Sequence, residues 1–426
     1  MRIVRYGDKG LEVQYLQLAL RRAGKEAGDL DGIFGRRALA AVESFQRGNG
    51  LTPDGVVGER TWTALYPYLT GYTVHVARPG DTFFRLAQEY GSTAQAIETA
   101  NPAVTPTNLQ SVTSLIIPLG FDIVTDQVPY SSMLTELIAE GLRRRYPFIG
   151  KRSIGRSVMG REIICLMMGA GETRVSFNAS HHGNEWITTP LTLRFLEEYA
   201  KAVAAGGEIY DADARGLFAR TMLFLMPLVN PDGVDLVTGA IDETDSYYKQ
   251  AAAMAEFYPH IPFPNGWKAN MRGVDLNLQY PAGWEEAQRV KREQGFVRPG
   301  PRDFVGLKPL SEPESLAMYD FSLSRRFQLI LAYHTQGEVI FWKYRDYEPP
   351  RSREIAQAFA RSSGYTAEET PTGSGDAGYK DWFIQSFNLP GYTIEAGLGE
   401  NPLPLADLPK MYADNLGIFV LALQMA

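Results

Sequence analysis

The chain has 426 residues, of which 45% are apolar and 21% charged, so it has room for two or three ordinary globular domains. Its formal net charge of −7 excludes a broad basic surface that would attract nucleic acid or anionic lipid. The single cysteine, Cys165, lies in an apolar run typical of a buried strand and excludes a disulfide framework.

Apolar runs in the sequence give no sign of membrane insertion. None approaches the roughly 20 residues that a transmembrane helix requires. The first residues, Met1–Asp8, also lack the apolar core of a secretory signal, so the sequence predicts no signal peptide in this chain. Two explanations remain open: removal of a signal, or action from inside a cell.

Residues 1–69 are predicted to form a small helical domain. Two Asp-Gly turns, at 31–32 and 54–55, each precede a helix, where glycine supplies a positive φ. The other characteristic residues occur in a fixed order: Gly7-Asp8, Val13, Leu16-Gln17, Ala41-Val42, Phe45-Gln46, Gly50-Leu51 and Thr61-Trp62. In that order they resemble the three-helix peptidoglycan-binding domain, which implies peptidoglycan as a partner.

Residues 70–120 are predicted to fold as strand, helix, helix, strand (βααβ). The motifs are Tyr72-Thr73-Val74, Pro79-Gly80-Asp81-Thr82, Leu86-Ala87, Ala100-Asn101-Pro102 and Leu115-Ile116-Ile117-Pro118. They resemble a LysM module, a family that binds N-acetylglucosamine chains. The resemblance implies a groove with Gly80, Asp81 and Thr82 on one side and Asn101 with Pro102 on the other. Asp81 and Thr82 have a second interpretation, capping of the first helix.

Residues 121–130 are predicted to be a linker, and residues 131–426 an α/β domain. Short apolar runs at 175–178, 223–226 and 329–333 are typical of buried strands. They alternate with helical patterns such as those at 188–204 and 352–362. This alternation favours a largely covered sheet flanked by helices.

Three residues near predicted strand ends form a candidate metal site. His182 and Glu185 are spaced as His-x-x-Glu after one apolar strand, and His334 closes another. A hydrolytic zinc site needs three protein ligands and an open position for water. His181 competes with His182, but only His182 has the three-residue spacing to Glu185.

Several further motifs follow in order after this His-x-x-Glu. They are Asn230-Pro231-Asp232-Gly233, Gly273-Val274-Asp275-Leu276-Asn277, Tyr333-His334-Thr335, Asp381-Trp382 and Thr393-Ile394-Glu395. Together they resemble the zinc carboxypeptidase family over essentially all of 130–426. The resemblance implies a mixed sheet flanked by helices and one Zn²⁺ ion, held by His182, Glu185 and His334. It also implies that Glu395 is the general base and acid acting on zinc-activated water.

The cation that stabilises the oxyanion is the least certain part of the predicted site. The family places an arginine nine residues before the asparagine that is here Asn277, and this chain has Lys268 there. Lysine supplies charge without a bidentate fork. Lys268 is the preferred candidate, and Arg272 is the second.

Departures from the family pattern bear on the substrate. The asparagine-arginine pair that grips a free C-terminus is here Asn277-Leu278, and the position of the family's mobile tyrosine falls on Gly373. Tyr379 is a candidate replacement. The loss of the arginine weakens recognition of a free C-terminal carboxylate.

The stretch around residue 380 suggests a zwitterionic substrate side chain. Lys380 is predicted to bind the distal carboxylate of meso-diaminopimelate, and Asp376 its distal amine. The alternative is that the two pair with each other or with solvent.

These traits together resemble γ-D-glutamyl-L-diamino acid endopeptidases. The resemblance implies hydrolysis of the γ-D-glutamyl–meso-diaminopimelate bond in peptidoglycan stem peptides. It implies a protein associated with the cell wall, or intracellular during sporulation. Two alternatives remain: a zinc exo-carboxypeptidase of ordinary peptides, which Leu278 disfavours, and a non-catalytic wall-binding protein.

Overall fold

The computed structural model describes residues 1–105, 109, 114–371 and 375–426. The chain divides into two compact units, one made of Met1–Pro129 with Glu136–Gly150 and the other of Tyr130–Thr135 with Lys151–Ala426. Within the described part of the chain, no helix is both long and apolar enough to cross a membrane.

The first unit begins with a three-helix domain. Its helices are α1 (Leu11–Arg22), α2 (Arg36–Gly48) and α3 (Glu59–Thr70). They bury an apolar core that includes Leu16, Val42, Phe45 and Leu65. The predicted helical domain therefore forms from the apolar positions that the sequence indicated.

The two Asp-Gly turns of this domain are built alike. Gln17 Nε2 donates to Asp31 Oδ1 at 2.8 Å, and its Oε1 accepts from the Gly32 N–H at 2.9 Å. Gln46 makes the same pair of bonds to Asp54 and to the residue after it, at 2.9 and 3.0 Å. Each glycine has a φ near +70°, which explains the choice of glycine there. The domain thus contains an internal structural repeat of helix glutamine and turn.

The LysM-like region has the predicted order of elements. It contains β1 (Tyr72–His75), α4 (Phe83–Tyr90), α5 (Ala94–Ala100) and β2 (Leu115–Pro118). The two strands pair antiparallel, and Leu86, Ile97 and Leu115 lie in one core cluster. Residues 121–130 contain no helix or strand, but Ile123 and Val128 are buried.

The second unit is organised around a mixed sheet of eight strands in the described residues, in the order β11-β10-β12-β9-β5-β8-β4-β3. The strands are β3 (Ile149–Arg156), β4 (Glu162–Gly169), β5 (Thr173–Ala179), β8 (Thr221–Met226), β9 (Leu329–His334), β10 (Val339–Phe341), β11 (Thr366–Glu368) and β12 (Gly391–Glu395). A separate hairpin is formed by β6 (Glu208–Ile209) and β7 (Ala212–Asp213).

Helices cover both faces of this sheet. They are α7 (Thr188–Ala205), α8 (Ala214–Arg220), α9 (Pro231–Val237), α10 (Ser246–Ala255), α11 (Trp284–Glu293), α12 (Pro313–Arg325), α13 (Ser352–Ser363), α14 (Tyr379–Phe387) and α15 (Leu408–Met425). A further helix, α6 (Ser132–Arg145), belongs mostly to the first unit. On one face Phe195 of α7 and Phe419 of α15 pack against Phe177 of β5. On the other, Phe321 of α12 packs against Phe224 of β8. The predicted mixed α/β fold is confirmed.

The three central strands place the functional residues. β5, β8 and β9 run parallel, and so do β9 and β12, so their carboxyl ends meet at one edge. β9 ends at His334, which is in register with Glu395 at the end of β12. His182 follows β5 at the same edge, where α/β proteins commonly build their sites.

Candidate active site

The structure brings the three predicted metal ligands together. His182 Nδ1 lies 3.0 Å from Glu185 Oε1, and His334 Nδ1 lies 2.9 Å from Glu185 Oε2. The two Nδ1 atoms are 3.3 Å apart. A zinc ion with bonds of about 2.0–2.1 Å holds tetrahedral neighbours roughly 3.3–3.4 Å apart, so these donors fit zinc in kind and spacing. All three residues are buried, and their donor atoms lie within 4.8 Å of one another.

The charges around this centre favour a cation. Burial opposes a charge on His182, but Glu185 and Asp275 outweigh it and raise the pKa of His182 to about 9. The same surroundings hold the pKa of Glu185 well below its ordinary value, since His182 and Lys268 outweigh the cost of burial. The centre therefore presents an ionised carboxylate and two imidazoles in a cavity that stabilises positive charge.

The local sequence explains why the ligand loop takes this path. A 3₁₀ turn over Gly183–Glu185 follows β5, and a Cβ on Gly183 would lie 2.6 Å from the Gly233 carbonyl oxygen. Asn230 caps α9 by accepting from the Gly233 N–H and donates to the carbonyl of His181. The motifs His-Gly-Asn-Glu and Asn-Pro-Asp-Gly thus pack backbone against backbone. A side chain at the glycine of the first motif would push the two segments apart and displace the ligands.

Glu395 lies on the wall of a cleft of about 880 Å³ beside the metal centre. Lys268, Asn184 and Thr335 line the same cleft. Burial raises the pKa of Glu395 above its ordinary value, while the positive charges of His334 and Lys268 oppose the rise. A partly buried carboxylate of raised pKa beside a metal centre is suited to taking up and returning a proton.

Of the two candidate cations, the structure places Lys268 at the metal centre. Lys268 Nζ lies 2.8 Å from Glu185 Oε1 and borders the cleft. The side chain of Arg272 is 55% exposed and lies 3.6 Å from Glu312. The main chain of Lys268 is held in place, because the N–H groups of Lys268 and Ala269 both donate to the Pro301 carbonyl, at 2.7 and 2.9 Å.

The predicted substrate residues Lys380 and Asp376 have other partners. Lys380 is 2% exposed and donates to the Lys343 carbonyl at 3.0 Å, to Thr370 Oγ1 at 2.6 Å and to Asp381. An ammonium has three N–H donors, so these contacts satisfy it. Neither residue lines the metal cleft in the described part of the chain.

Asp376 accepts hydrogen bonds from Tyr344 Oη at 2.7 Å and from Arg345 Nε at 3.1 Å. Recognition of diaminopimelate by Lys380 and Asp376 remains a prediction without support from this geometry. The alternative, in which Lys380 pairs with Asp376, does not match this structure either, because Lys380 pairs with Asp381.

The other residues predicted to bind substrate are also fixed by neighbours. Tyr379 is fully buried with its hydroxyl 2.8 Å from Ser322 Oγ, and its N–H donates to Asn277 Oδ1 at 3.0 Å. Leu278 packs against a small apolar cluster that contains Trp284. Gly373, the position of the family's mobile tyrosine, lies outside the described residues.

In the LysM-like region, three of the five predicted glycan-binding residues form hydrogen bonds within the protein. Thr82 caps α4 by accepting from the Arg85 N–H, and Asp81 bonds to His75 Nε2 at 2.8 Å. Asn101 is 8% exposed and bonds the Ile116 main chain on both sides. Gly80 and Pro102 are exposed. Glycan binding at these residues stays a prediction.

Four residues near the metal centre have no predicted role in the sequence. Asp275 Oδ1 lies 3.0 Å from His182 Nε2 and so orients the imidazole. Arg302, Lys291 and Asp303 line the cleft. The need of a metal-bound histidine for a carboxylate partner could have pointed to Asp275, which belongs to a quoted motif. The loop 301–303 carries no recognisable signal in the sequence.

Two histidines and a glutamate at strand ends, with a cleft and a partly buried carboxylate beside them, define the class of zinc-dependent hydrolases. Three family models match the chain: Zinc carboxypeptidase over residues 136–416, Putative peptidoglycan binding domain over 9–65 and LysM domain over 75–118. The chain belongs to the zinc carboxypeptidase family of metallopeptidases and also carries the other two matched domains. The resemblances drawn from the motifs are confirmed.

Curated relatives agree with this assignment. Gamma-D-glutamyl-L-diamino acid endopeptidase 1 of Lysinibacillus sphaericus is 40% identical over 294 residues, which are 69% of this chain and 72% of that protein. The uncharacterized protein YqgT of Bacillus subtilis (strain 168) is 39% identical over 280 residues, 65% of this chain and 73% of that protein. Among solved structures, bovine thrombin-activatable fibrinolysis inhibitor shares the fold, with a TM-score of 0.51 and 18% identity over 70% of this chain and 97% of that one.

Proposed function

We propose that this chain is a zinc endopeptidase that hydrolyses peptidoglycan stem peptides at the bond between γ-D-glutamate and meso-diaminopimelate. The observation that carries the proposal is the convergence of His182, Glu185 and His334 beside Glu395 in one cleft. The name of the relative from Lysinibacillus sphaericus supports the choice of bond. The peptidoglycan-binding and LysM domains support a cell-wall polymer as partner and cell-wall association.

In this proposal the chain holds one zinc ion through His182 Nδ1, His334 Nδ1 and the Glu185 carboxylate. When bound, the ion polarises the scissile carbonyl and lowers the pKa of a water molecule that it holds. Asp275 fixes the tautomer of His182 by accepting a hydrogen bond from Nε2–H.

Glu395 and Lys268 provide the proton transfer and the charge stabilisation. Glu395 would take a proton from the water that attacks the scissile carbonyl and return it to the nitrogen that leaves as the C–N bond breaks, which the raised pKa of the carboxyl favours. The Lys268 ammonium stabilises negative charge that develops on the carbonyl oxygen. Burial lowers the pKa of Lys268, but Glu185 outweighs it and raises the value overall, so the cation is retained in the cleft.

The site is less suited to trimming free C-termini. Leu278 stands where the family has an arginine, and its side chain packs into an apolar cluster. No carboxylate-binding cation is therefore present at that position. An endopeptidase, which does not require a free C-terminal carboxylate on the residue after the cut, is consistent with this change.

The test is digestion of defined substrates followed by mass spectrometry. Zinc-loaded protein is incubated with purified peptidoglycan and with L-Ala-γ-D-Glu-meso-diaminopimelate peptides, with free and with amidated C-termini. We expect release of L-Ala-D-Glu from both peptide forms. Glu395→Gln should keep its zinc and lose activity by about 10²–10⁴-fold, whereas Glu400→Gln, in the same cleft, should stay active.

Each other result points to one of the alternatives. Cleavage only of peptides with a free C-terminus would identify an exo-carboxypeptidase. Full zinc occupancy without any cleavage would identify a wall-binding protein. The predicted setting during sporulation is checked separately by following when the protein is produced.

A further inference from the structure

Two cations other than Lys268 face the cleft and have no role in the mechanism above. Arg302 and Lys291 both line the cleft, and both are held by Asp303. Arg302 Nε lies 2.5 Å from Asp303 Oδ2, and Lys291 Nζ lies 2.5 Å from Asp303 Oδ1. Because one carboxylate faces two cations, the group keeps a net positive charge toward the cleft.

The position of this group is tied to the metal centre through the main chain. The Asp303 N–H donates to Asp275 Oδ2 at 3.2 Å, and Asp275 Oδ1 contacts His182 Nε2 at 3.0 Å. Asp303 has a φ of +65°, a left-handed conformation that costs free energy for a residue other than glycine. The fold therefore holds Asp303 in a specific place, a short distance from a metal ligand.

The guanidinium of Arg302 retains hydrogen-bonding capacity. Among the described residues, Arg302 bonds to Asp303 through Nε, and 41% of the arginine side chain is exposed. The terminal N–H groups are thus free to bind a ligand, and their planar fork matches a carboxylate. Burial lowers the pKa of Arg302, whereas nearby carboxylates, Asp303 first, raise it above the usual range, so the group stays charged.

A γ-glutamyl substrate offers a matching anion. When glutamate is linked through its side-chain carboxyl, its α-carboxylate remains free, a short methylene chain from the scissile carbonyl. An α-linked residue with a neutral side chain has no anion at this place, and amidation of the α-carboxylate of a γ-linked glutamate removes it. Resting on the proposed function, we propose that Arg302, supported by Lys291, binds the free α-carboxylate of the γ-D-glutamyl residue and so favours substrates in which this carboxylate is free.

Two other roles for Arg302 predict different behaviour. If Arg302 stabilised the oxyanion, its loss would slow all substrates equally through kcat. If it bound a carboxylate of the diamino acid, amidation of that carboxylate, and not of the glutamate, would abolish its contribution. A guanidinium would bind a carboxylate of glutamate and a carboxylate of the diamino acid in the same way. The experiment must therefore vary the substrate as well as the protein.

The experiment pairs substrates with variants. The substrates are L-Ala-γ-D-Glu-meso-diaminopimelate, the analogue with D-isoglutamine, whose α-carboxylate is an amide, and the analogue with the distal diaminopimelate carboxylate amidated. The variants are Arg302→Gln and Arg302→Lys. Arg298→Gln is the matched control, since Arg298 lies four residues earlier, is exposed and stacks on Phe257. Zinc content and thermal unfolding are measured for each.

We expect wild type to prefer the free glutamate substrate over the isoglutamine analogue by roughly 10- to 100-fold in kcat/KM, the effect of a charge-assisted hydrogen bond. Arg302→Gln should lose that preference mainly through KM, Arg302→Lys should keep part of it, and Arg298→Gln should keep all. Substrate dissociation constants measured in the Glu395→Gln background should follow the same order.

Several results would overturn the inference while leaving the proposed function intact. One is an equal loss on both glutamate forms. Another is a preference that disappears only when diaminopimelate is amidated, and a third is no effect of Arg302→Gln. Failure of wild type to cleave any of the three substrates would instead refute the proposed function.

Discussion

His182 is held between two carboxylates, with Nδ1 3.0 Å from Glu185 and Nε2 3.0 Å from Asp275. This arrangement leaves Asp275 to fix the ring while Nδ1 points at the metal position. It also fixes the tautomer, because the proton must lie on Nε2 for Nδ1 to bind a metal ion.

Asp275→Asn should weaken zinc binding by about 10–100-fold, because the amide no longer orients and polarises the imidazole. Competition with a chelator, read by metal analysis, measures the change. Asp376→Asn is the control: that carboxylate is equally buried, but it bonds to Tyr344 outside the cleft. Equal zinc affinity in both variants would show that Asp275 does not position the ligand.

Lys268→Met should lower kcat by about 10²–10³-fold while zinc stays bound, since it removes a preorganised charge beside the developing oxyanion. Lys268→Arg should recover much of the rate because it restores the charge. Arg272→Met should leave kcat unchanged, because this side chain is 55% exposed and borders Glu312. If Arg272→Met lowers kcat and Lys268→Met leaves it unchanged, Arg272 is the cation that stabilises the oxyanion.

Lys380→Met should destabilise the second unit by about 3–5 kcal/mol, because Asp381 would then be buried without its partner. Denaturant unfolding measures the loss, and Lys249→Met, at an exposed position of α10, serves as the control. Adding Asp381→Asn should recover part of the stability. A stable Lys380→Met protein with a reduced preference for diaminopimelate over lysine peptides would instead restore the prediction made from the sequence.

The buried carboxyl of Glu314 should make the free energy of unfolding depend on pH. It is fully buried, accepts from the Val158 N–H at 2.9 Å, and burial raises its pKa to about 7. The pKa of Glu314 is higher in the folded protein than in the unfolded chain, so its contribution to the free energy of unfolding is fully present below about pH 4.5. This contribution is lost as the pH rises through 7.

Glu314→Gln should remove this dependence and gain up to about 3 kcal/mol relative to wild type at pH 8. The measurement is the difference in unfolding free energy between variant and wild type from pH 5 to 8. Exposed Glu285→Gln is the matched control and should show a flat difference. A flat difference for Glu314→Gln as well would show that this carboxyl is ionised throughout.

The sequence was sufficient to predict the fold and the metal centre, for identifiable reasons. The buried strands are continuous apolar runs, and His182, Glu185 and His334 stand at their ends, so the parallel order of β5 and β9 brings them together. The spacing rule that chose His182 over His181 agrees with the geometry, because His181 is fully buried and its Nε2 lies 3.2 Å from Tyr280 Oη.

The substrate side of the site could not be predicted in the same way. Lys380 and Asp376 are close in the sequence, but α14 begins between them and turns the lysine toward Thr370 and Asp381. Arg302 lies on a loop far from every motif, and only the folded chain places it near Asp275 and Lys268. Nearness in sequence was a poor guide to which charges share a cleft.

The Pro301 carbonyl accepts two main-chain bonds, from Lys268 and from Ala269. This junction joins the two segments that carry Lys268 and Arg302, and it uses no side-chain atoms from either residue. A change of either charged side chain therefore leaves these main-chain hydrogen bonds in place. Specificity for a different acyl group could therefore be changed by substitution at residue 302, while Lys268 keeps its contact with Glu185 at the metal centre.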